Sequence, residues 1–98
     1  MHADRETIQE KMPLFGSRLT AAMAYRRMDN AELLARLRDF GLGPNDNYVY
    51  RLTSIARPAN PTLLTLAGLR YALDIASEWW FDPTLTAADL PRLDLRST

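Results

Sequence analysis

The sequence contains no cysteine and a single histidine, His2, near its N-terminus. Without thiolates there is no disulfide framework and no cysteine-based metal site, and one terminal histidine cannot build a metal cluster or a catalytic triad. Paired carboxylates at a spacing that would suit a general acid and base are missing as well. We therefore expect a protein that is not an enzyme and that holds neither a metal nor a cofactor.

Long apolar runs are also absent. A run such as Trp79-Trp80-Phe81 is only a few residues long, whereas a membrane span needs roughly 20. The first fifteen residues carry acidic side chains where a signal peptide would be apolar. We expect a cytoplasmic protein, located at the nucleoid, with no membrane contact. Its 98 residues, 47% hydrophobic and 24% charged, suit one globular domain with a single core.

The net charge is zero, from 12 basic and 12 acidic residues, but it is unevenly distributed. Residues 14–73 hold eight arginines and four carboxylates, which makes the centre +4, while residues 1–13 carry −1 and residues 74–98 carry −3. Arginine supplies 11 of the 12 cations. Arginine favours bidentate contact with phosphate or guanine, although a GC-rich genome would give the same bias. The basic centre is compatible with a nucleic-acid partner.

The spacing of apolar residues predicts a first helix over residues 14–27, with one face turned to a core: Phe15, Leu19, Ala22 and Met23. A second helix is predicted to begin after Asp29, which suits the N-cap position, with Glu32 as its reciprocal partner in a capping box. Met28 and Leu33 form the matching hydrophobic staple. We expect about three turns that end at Gly41 and turn four side chains inward: Leu33, Leu34, Leu37 and Phe40.

A third helix is predicted over residues 45–55, with Val49, Leu52 and Ala56 on its core face. Its opposite face is polar and varied rather than simply charged, and it carries Asp46, Asn47, Tyr50, Arg51 and Ser54. That face is the candidate functional surface.

After a loop over residues 57–61, Thr62 is predicted to cap a fourth helix whose core positions are Leu63, Leu66, Leu69, Ala72 and Leu73. A short fifth helix is predicted over residues 77–81. Because no strand-like alternation exceeds four residues, the fold class is all-α. Residues 1–13 are interpreted as an N-terminal arm, residues 14–82 as the helical domain, and residues 83–98 as a C-terminal tail that could serve as a dimerisation arm.

The stretch from Asn60-Pro61-Thr62-Leu63 through Ala72-Leu73-Asp74-Ile75 to Trp80-Phe81 resembles the closing segment of the phage-repressor-like, or XRE, helix-turn-helix family. The turn over residues 40–44 and the segment 48–52 are similar to the secretion regulators of that family. The chain departs from the family in lacking a glycine directly after the third helix and in one inserted residue before Asn60. The resemblance implies a five-helix lambda-repressor-like domain that binds double-stranded DNA.

If the second and third helices form the helix-turn-helix, the resemblance implies that the third enters the major groove. Helical geometry then assigns base contacts to four side chains: Asp46, Asn47, Tyr50 and Arg51. Arg51 could bind guanine, Asn47 adenine, and Asp46 the amino group of cytosine. Contacts with the DNA backbone are expected from five further residues: Asn30, Asn45, Ser54, Arg57 and Asn60.

Several of these residues have a plainer interpretation. Asp46 could serve only as a helix cap, and Asn60 could serve only to shape its Asn-Pro turn. Tyr48 borders the core and is expected to pack against the second helix rather than reach DNA. Arg26 and Arg27 end the first helix, where the helix dipole alone would explain them.

A single recognition helix reads about four base pairs, so useful specificity needs two copies on half-sites about 34–36 Å apart. We therefore expect a homodimer. Adjacent Trp79 and Trp80 cannot both point fully inward on a helix, so one should be exposed. The expected dimer surface combines this pair with apolar tail residues: Trp79, Trp80, Leu85, Leu90 and Leu93.

The leading hypothesis is a sequence-specific, repressor-type transcriptional regulator. One alternative is the antitoxin of a toxin–antitoxin pair, which would use its tail to hold a protein partner. Another is a nucleoid-associated DNA-binding protein, which would show weak sequence preference.

Overall fold

The computed structural model describes residues 11–96, so His2, most of the predicted N-terminal arm and the last two tail residues lie outside the described part. From residue 14 to residue 96, five α-helices follow one another: α1 (Phe15–Arg26), α2 (Asn30–Asp39), α3 (Tyr48–Thr53), α4 (Leu63–Leu73) and α5 (Leu90–Leu93). Two 3₁₀ turns, Ser77–Trp80 and Ala87–Asp89, lie between α4 and α5. Residues 11–96 contain no strand, only one isolated bridge between Ile75 and Asp94. The all-α expectation is confirmed.

The boundary between α1 and α2 is the one the sequence predicts. Asp29 is the N-cap of α2 and its Oδ1 accepts a hydrogen bond from the Glu32 amide at 2.8 Å. Met28 and Leu33 are both buried, as a hydrophobic staple requires. α1 ends at Arg26, and its C-cap, Arg27, adopts the left-handed conformation with φ 54°. The two helices thus follow each other through a three-residue turn.

Phe40 was expected in the core, and that prediction is wrong: the side chain is 53% exposed. The reason is the turn that ends α2. Gly41 has φ +78°, and the Leu42 amide donates to the Leu37 carbonyl at 2.9 Å, as in a Schellman-like helix end. Leu42 then takes the inward direction, and its side chain lies so close to Gly68 that a Cβ there would be 2.4 Å from Leu42 Cδ1.

α3 is shorter than the predicted helix, because it begins at Tyr48 and ends at Thr53. Val49 and Leu52 are buried as expected. Ala56 is exposed, in contrast to its predicted place in the core, because Ser54 adopts an extended conformation (ψ 131°) and the chain leaves the helix before residue 56. The helix therefore offers two core positions rather than three.

α4 confirms Thr62 as an N-cap, since its Oγ1 accepts a hydrogen bond from the Thr65 amide at 3.2 Å. Leu69, Ala72 and Leu73 are buried. Leu63 was predicted to face the core but is 83% exposed. Leu63 and Ala72 are nine residues apart, which at about 100° per residue places them on opposite sides of the helix.

Trp79 and Trp80 are both buried, with 2% and 3% of their surfaces exposed, so the expectation that one is exposed is wrong. The Trp80 ring packs against Phe15, with 5.5 Å between the ring centroids. The Trp79 indole donates to the Arg18 carbonyl at 2.9 Å, and Arg18 Nη2 donates to the Leu85 carbonyl at 2.8 Å. Each tryptophan faces a different neighbour, because the chain after residue 81 folds back over α1.

The C-terminal segment is part of the core rather than a free arm. Leu85, Leu90 and Leu93 are buried in the same cluster as the residues of α1, α2 and α4. The Ala76 amide donates to the Leu93 carbonyl at 2.9 Å. The predicted boundary at residue 82 therefore does not separate two structural units. The five residues expected to form a dimer surface are covered by their own chain: Trp79, Trp80, Leu85, Leu90 and Leu93.

Candidate nucleic-acid interface

One shallow cleft beside α3 collects five of the residues predicted to contact DNA. Together with Ala59, they line a depression of about 580 Å³: Asn47, Tyr50, Arg51, Ser54 and Arg57. We call this the α3 cleft. Tyr50 exposes 70% of its surface, and Arg51 and Arg57 are exposed as well. The structure thus brings three of the predicted base contacts and two of the predicted backbone contacts to one surface.

The start of α3 is fixed by short-range hydrogen bonds of Asn45. Its Oδ1 accepts from the Asn47 amide at 3.1 Å, and its carbonyl accepts from the Tyr48 amide at 3.2 Å. Asx turns of this kind order the backbone just before a helix. Asn45 was predicted to contact the DNA backbone, and in the structure its side-chain oxygen shapes the turn that places Asn47.

Arg38 braces the same turn from α2. Its Nε donates to the Gly43 carbonyl at 3.1 Å, and its Nη2 lies 3.0 Å from Asp46 Oδ1. The Asp46 carboxylate is 92% exposed, so this ion pair contributes little to stability. Asp46 lies before α3 and is not its N-cap, which is Asn47. Its carboxylate remains accessible from solvent.

The inner side of α3 is anchored to α4 by a hydroxyl contact. Tyr48 Oη and Thr65 Oγ1 are 2.8 Å apart, and Thr65 is buried. Tyr48 is half-buried and packs against the core. Tyr48 therefore packs as its plainer interpretation predicts, and its hydrogen-bond partner is on α4. Tyr50 and Arg51 of the same helix are exposed to solvent.

The exit from α3 positions the remaining cleft residues. Thr53 Oγ1 donates back to the carbonyls of Val49 and Tyr50 at 3.2 and 3.0 Å, which satisfies the last turn. Ser54 Oγ accepts from the Arg57 amide at 3.2 Å. This second local turn directs the chain so that Arg57 returns to the cleft that Arg51 lines.

The arginines of the basic centre fall into two groups. Arg18 and Arg26 form hydrogen bonds within the molecule: both donate to backbone carbonyls, and Arg26 also binds the carboxylate of Asp94. Burial lowers the pKa of Arg18, and the nearby carboxylates of Asp82 and Asp89 oppose that shift. Within residues 11–96, neither Arg51 nor Arg57 forms an ion pair. The cleft therefore displays guanidinium groups that are open to a ligand.

Arg26 is the residue whose role the sequence did not reveal. From the sequence, the helix dipole alone would explain Arg26. In the structure, Arg26 Nε donates to the Leu73 carbonyl at 2.6 Å and Arg26 Nη2 to the Asp74 carbonyl at 2.9 Å. Its partner Asp94 is 68 residues away in sequence. No local pattern could have indicated that pairing.

Asn30 and Asn60 lie apart from the α3 cleft. Asn30, at the start of α2, shares a different depression of about 510 Å³ with Arg38 and Asp46. Asn60 lines a separate groove with Trp80 and Phe81. Of the nine predicted DNA contacts, the structure groups five in the cleft and places Asn30 and Asp46 in a second depression and Asn60 in a third, while Asn45 forms its own turn.

No protein-family model, no curated protein and no solved structure matches this chain. In the part of the chain that the structure describes, no helix is both long and apolar enough to cross a membrane. The same residues contain no group of three or more side chains suited to holding a metal ion.

Proposed function

We propose that this chain is a sequence-specific DNA-binding transcriptional regulator that reads the major groove with α3 as a homodimer. The observation that carries the proposal is the α3 cleft, where Asn47, Tyr50, Arg51, Ser54 and Arg57 meet on one exposed surface. Amide, phenol, hydroxyl and guanidinium groups are the donors and acceptors that read base edges and hold phosphates.

The distribution of charge supports the proposal. Three of the five carboxylates of residues 74–98 are paired within the molecule: Asp94 with Arg26, Asp74 with Arg96 and Asp89 with Arg92. The α3 cleft keeps two guanidinium groups with no carboxylate among its lining residues. A zero net charge argues for weak non-specific binding, since that binding depends on the overall positive charge.

The connection between α2 and α3 is longer than in most helix-turn-helix motifs. It spans residues 40–47, whereas the usual turn has three or four residues. The longer turn is ordered by Gly41, Leu42 and the Arg38 contacts with Gly43 and Asp46. Reading the groove then falls to α3 and to the loop after it, which supplies Arg57.

The test is selection of bound duplexes from a random library by the full chain. We expect an enriched inverted repeat whose half-sites of about four base pairs are 34–36 Å apart. Arg51→Ala should lose the enrichment at one position in each half-site. Arg92→Ala is the matched control, because Arg92 is an exposed arginine on α5. No duplex binding at moderate salt would overturn the proposal, and binding without sequence enrichment would replace it with a nucleoid-type role.

A further inference from the structure

α4 is apolar on its outer side as well as on its core side. Its exposed arc carries four residues and no charge: Leu63, Leu64, Ala67 and Tyr71. Leu63 exposes 83% of its surface, Leu64 67% and Tyr71 58%. At about 100° per residue, these four positions lie within roughly 100° of one another around the helix. A surface helix normally turns charged or polar residues to solvent, and a helix that is apolar all round is normally buried.

Phe40 extends this apolar surface from the end of α2. Its ring is 53% exposed and lies against Tyr71, with 6.0 Å between the ring centroids. We call the surface formed by Phe40, Leu63, Leu64, Ala67 and Tyr71 the α4 patch. Contiguous exposed apolar patches of several hundred Å² on a soluble chain mark interaction sites.

We propose that the α4 patch is the surface through which two copies of this chain associate. The homodimer is part of the proposed function, and the choice of a second copy as the partner rests on that function. The α4 patch takes the place of the tail residues that the sequence predicted as the dimer surface, because Leu85, Leu90 and Leu93 are buried in their own chain.

The area of the patch fits a second copy. At roughly 150–250 Å² for a large side chain, the exposed fractions of its leucines and aromatic rings amount to about 400–650 Å². A standard interface buries about 800 Å² on each partner, so the patch supplies the apolar centre and its rim supplies the remainder. α4 has 11 residues and is therefore about 16 Å long, enough for two antiparallel helices to pack along three turns.

The charges at the rim also favour a second copy over a different partner. Asp39 precedes Phe40, and the Arg70 guanidinium lies over the Tyr71 ring at 4.7 Å. The residues that flank Phe40 and Tyr71 in sequence therefore carry one charge of each sign. A two-fold axis through the patch brings the same surface of both copies together, and a surface that carries both signs allows Arg70 of one copy to pair with Asp39 of the other. A partner whose surface carries one sign of charge would be repelled by one of these two residues.

Self-association is measured on the full chain without DNA, by sedimentation equilibrium over a range of concentrations. We expect a dimer for the unmodified chain and a dissociation constant at least about tenfold higher for the Leu64→Gln, Tyr71→Gln double variant. Ile55→Gln is the matched control, because Ile55 is 62% exposed and lies outside the patch. Both substituted residues are exposed, so circular dichroism of the variants should match that of the unmodified chain.

Cysteine pairing gives a second, independent measurement, because the chain contains no cysteine of its own. Ala67→Cys should form a disulfide-linked dimer on mild oxidation, whereas Ala24→Cys, exposed on α1, should not. An unmodified chain that stays monomeric at millimolar concentration overturns the inference, as does a double variant that dimerises as well as the control. Duplex binding is scored separately, so a dimer that binds no DNA removes the proposed function and leaves the α4 patch as the contact.

Discussion

The guanidinium of Arg26 binds the carboxylate of Asp94 through both of its terminal nitrogens and so connects the end of α1 to the C-terminal segment. Arg26 Nη1 lies 3.0 Å from Asp94 Oδ2, and a second, shorter contact joins Nη2 to Oδ1. Both side chains are almost fully buried, and Tyr25 donates its hydroxyl to the same carboxylate at 2.9 Å. Bidentate pairs of this kind are among the strongest hydrogen-bonded contacts in proteins.

Arg26→Met should lower the Tm by roughly 10–20 °C, because it leaves a shielded carboxylate and two carbonyls without their donor. Adding Asp94→Leu should recover much of the loss, since removing both partners removes the unpaired charge. Thermal unfolding followed by circular dichroism measures both changes. Arg92→Met is the control, because its pair with Asp89 is on the surface. Equal Tm values for Arg26→Met and Arg92→Met would show that the buried pair does not form.

The same carboxylate makes stability depend on pH. The hydrogen bonds from Arg26 lower the pKa of Asp94 to about 2, with further help from the Arg96 amide and the Tyr25 hydroxyl. Its usual pKa is 3.8. The stabilisation is therefore complete above about pH 4 and is lost as the pH falls from 4 towards 2.

We expect urea unfolding of Asp94→Asn to depend less on pH over that window than unfolding of the unmodified chain. Asp39→Asn is the control, since Asp39 is an exposed carboxylate at the end of α2. The acid dependence should persist in the control. An unchanged acid dependence in Asp94→Asn would contradict the assignment.

Gly16 holds α1 against the end of α3. A Cβ at this position would lie 2.6 Å from the Thr53 carbonyl oxygen and 2.8 Å from its carbon. Helix propensity alone would make Gly16→Ala stabilising by about 1 kcal/mol. Because the obstructing atoms are backbone, we expect the reverse, a loss of about 1–3 kcal/mol in the free energy of unfolding.

The neighbouring Ser17→Ala, at an exposed position on α1, is the matched control and should change stability only by a few tenths of a kcal/mol. Denaturant titration distinguishes the two variants. If α3 carries the DNA contacts, Gly16→Ala should also weaken duplex binding while Ser17→Ala leaves it unchanged. A stabilised Gly16→Ala variant would show that the α1–α3 approach is looser than the structure has it.

If the proposed function is correct, Arg51 and Arg57 should contribute differently to DNA binding. Arg51→Ala should relax preference at one base pair, worth about 1–3 kcal/mol of discrimination. Arg57→Ala should weaken all duplexes alike and reduce the slope of log affinity against log salt by about 0.9, as expected for one lost phosphate contact. Fluorescence anisotropy on matched and mismatched duplexes at several salt concentrations separates the two effects. If both variants lose only uniform affinity, Arg51 contacts the backbone instead of a base.

The sequence predicted those features that depend on neighbouring residues. Asp29 and Thr62 cap their helices because each oxygen needs only an amide three residues on. Gly41 ends α2 because its φ of +78° is open to glycine. The polar face of α3 follows in the same way, since side chains at residues 47, 50, 51 and 54 share a helical side whatever the helix packs against.

The sequence was misleading wherever a face had to be chosen between similar apolar residues. Phe40 and Leu42 are both large and apolar, and only the turn at Gly41 decides that Leu42 enters the core. Leu63 fits an apolar helix pattern equally well, but the position of α4 against α2 leaves it in solvent. Hydrophobic spacing identifies a helix without stating which arc is covered when more than one arc is apolar.

The sequence by itself determined the all-α class, the helix boundaries set by caps and turns, and the residue types of the α3 cleft, because these depend on contacts within a few residues. Only the tertiary structure decided which arginines remain outside. Arg18 and Arg26 bind groups 47 to 68 residues away in sequence and are removed from the surface, while Arg51 and Arg57 stay in the cleft. Burial and ion pairing depend on which distant segments meet. The C-terminal segment packs over α1, and this packing covers Arg18 and Arg26 and supplies partners to both.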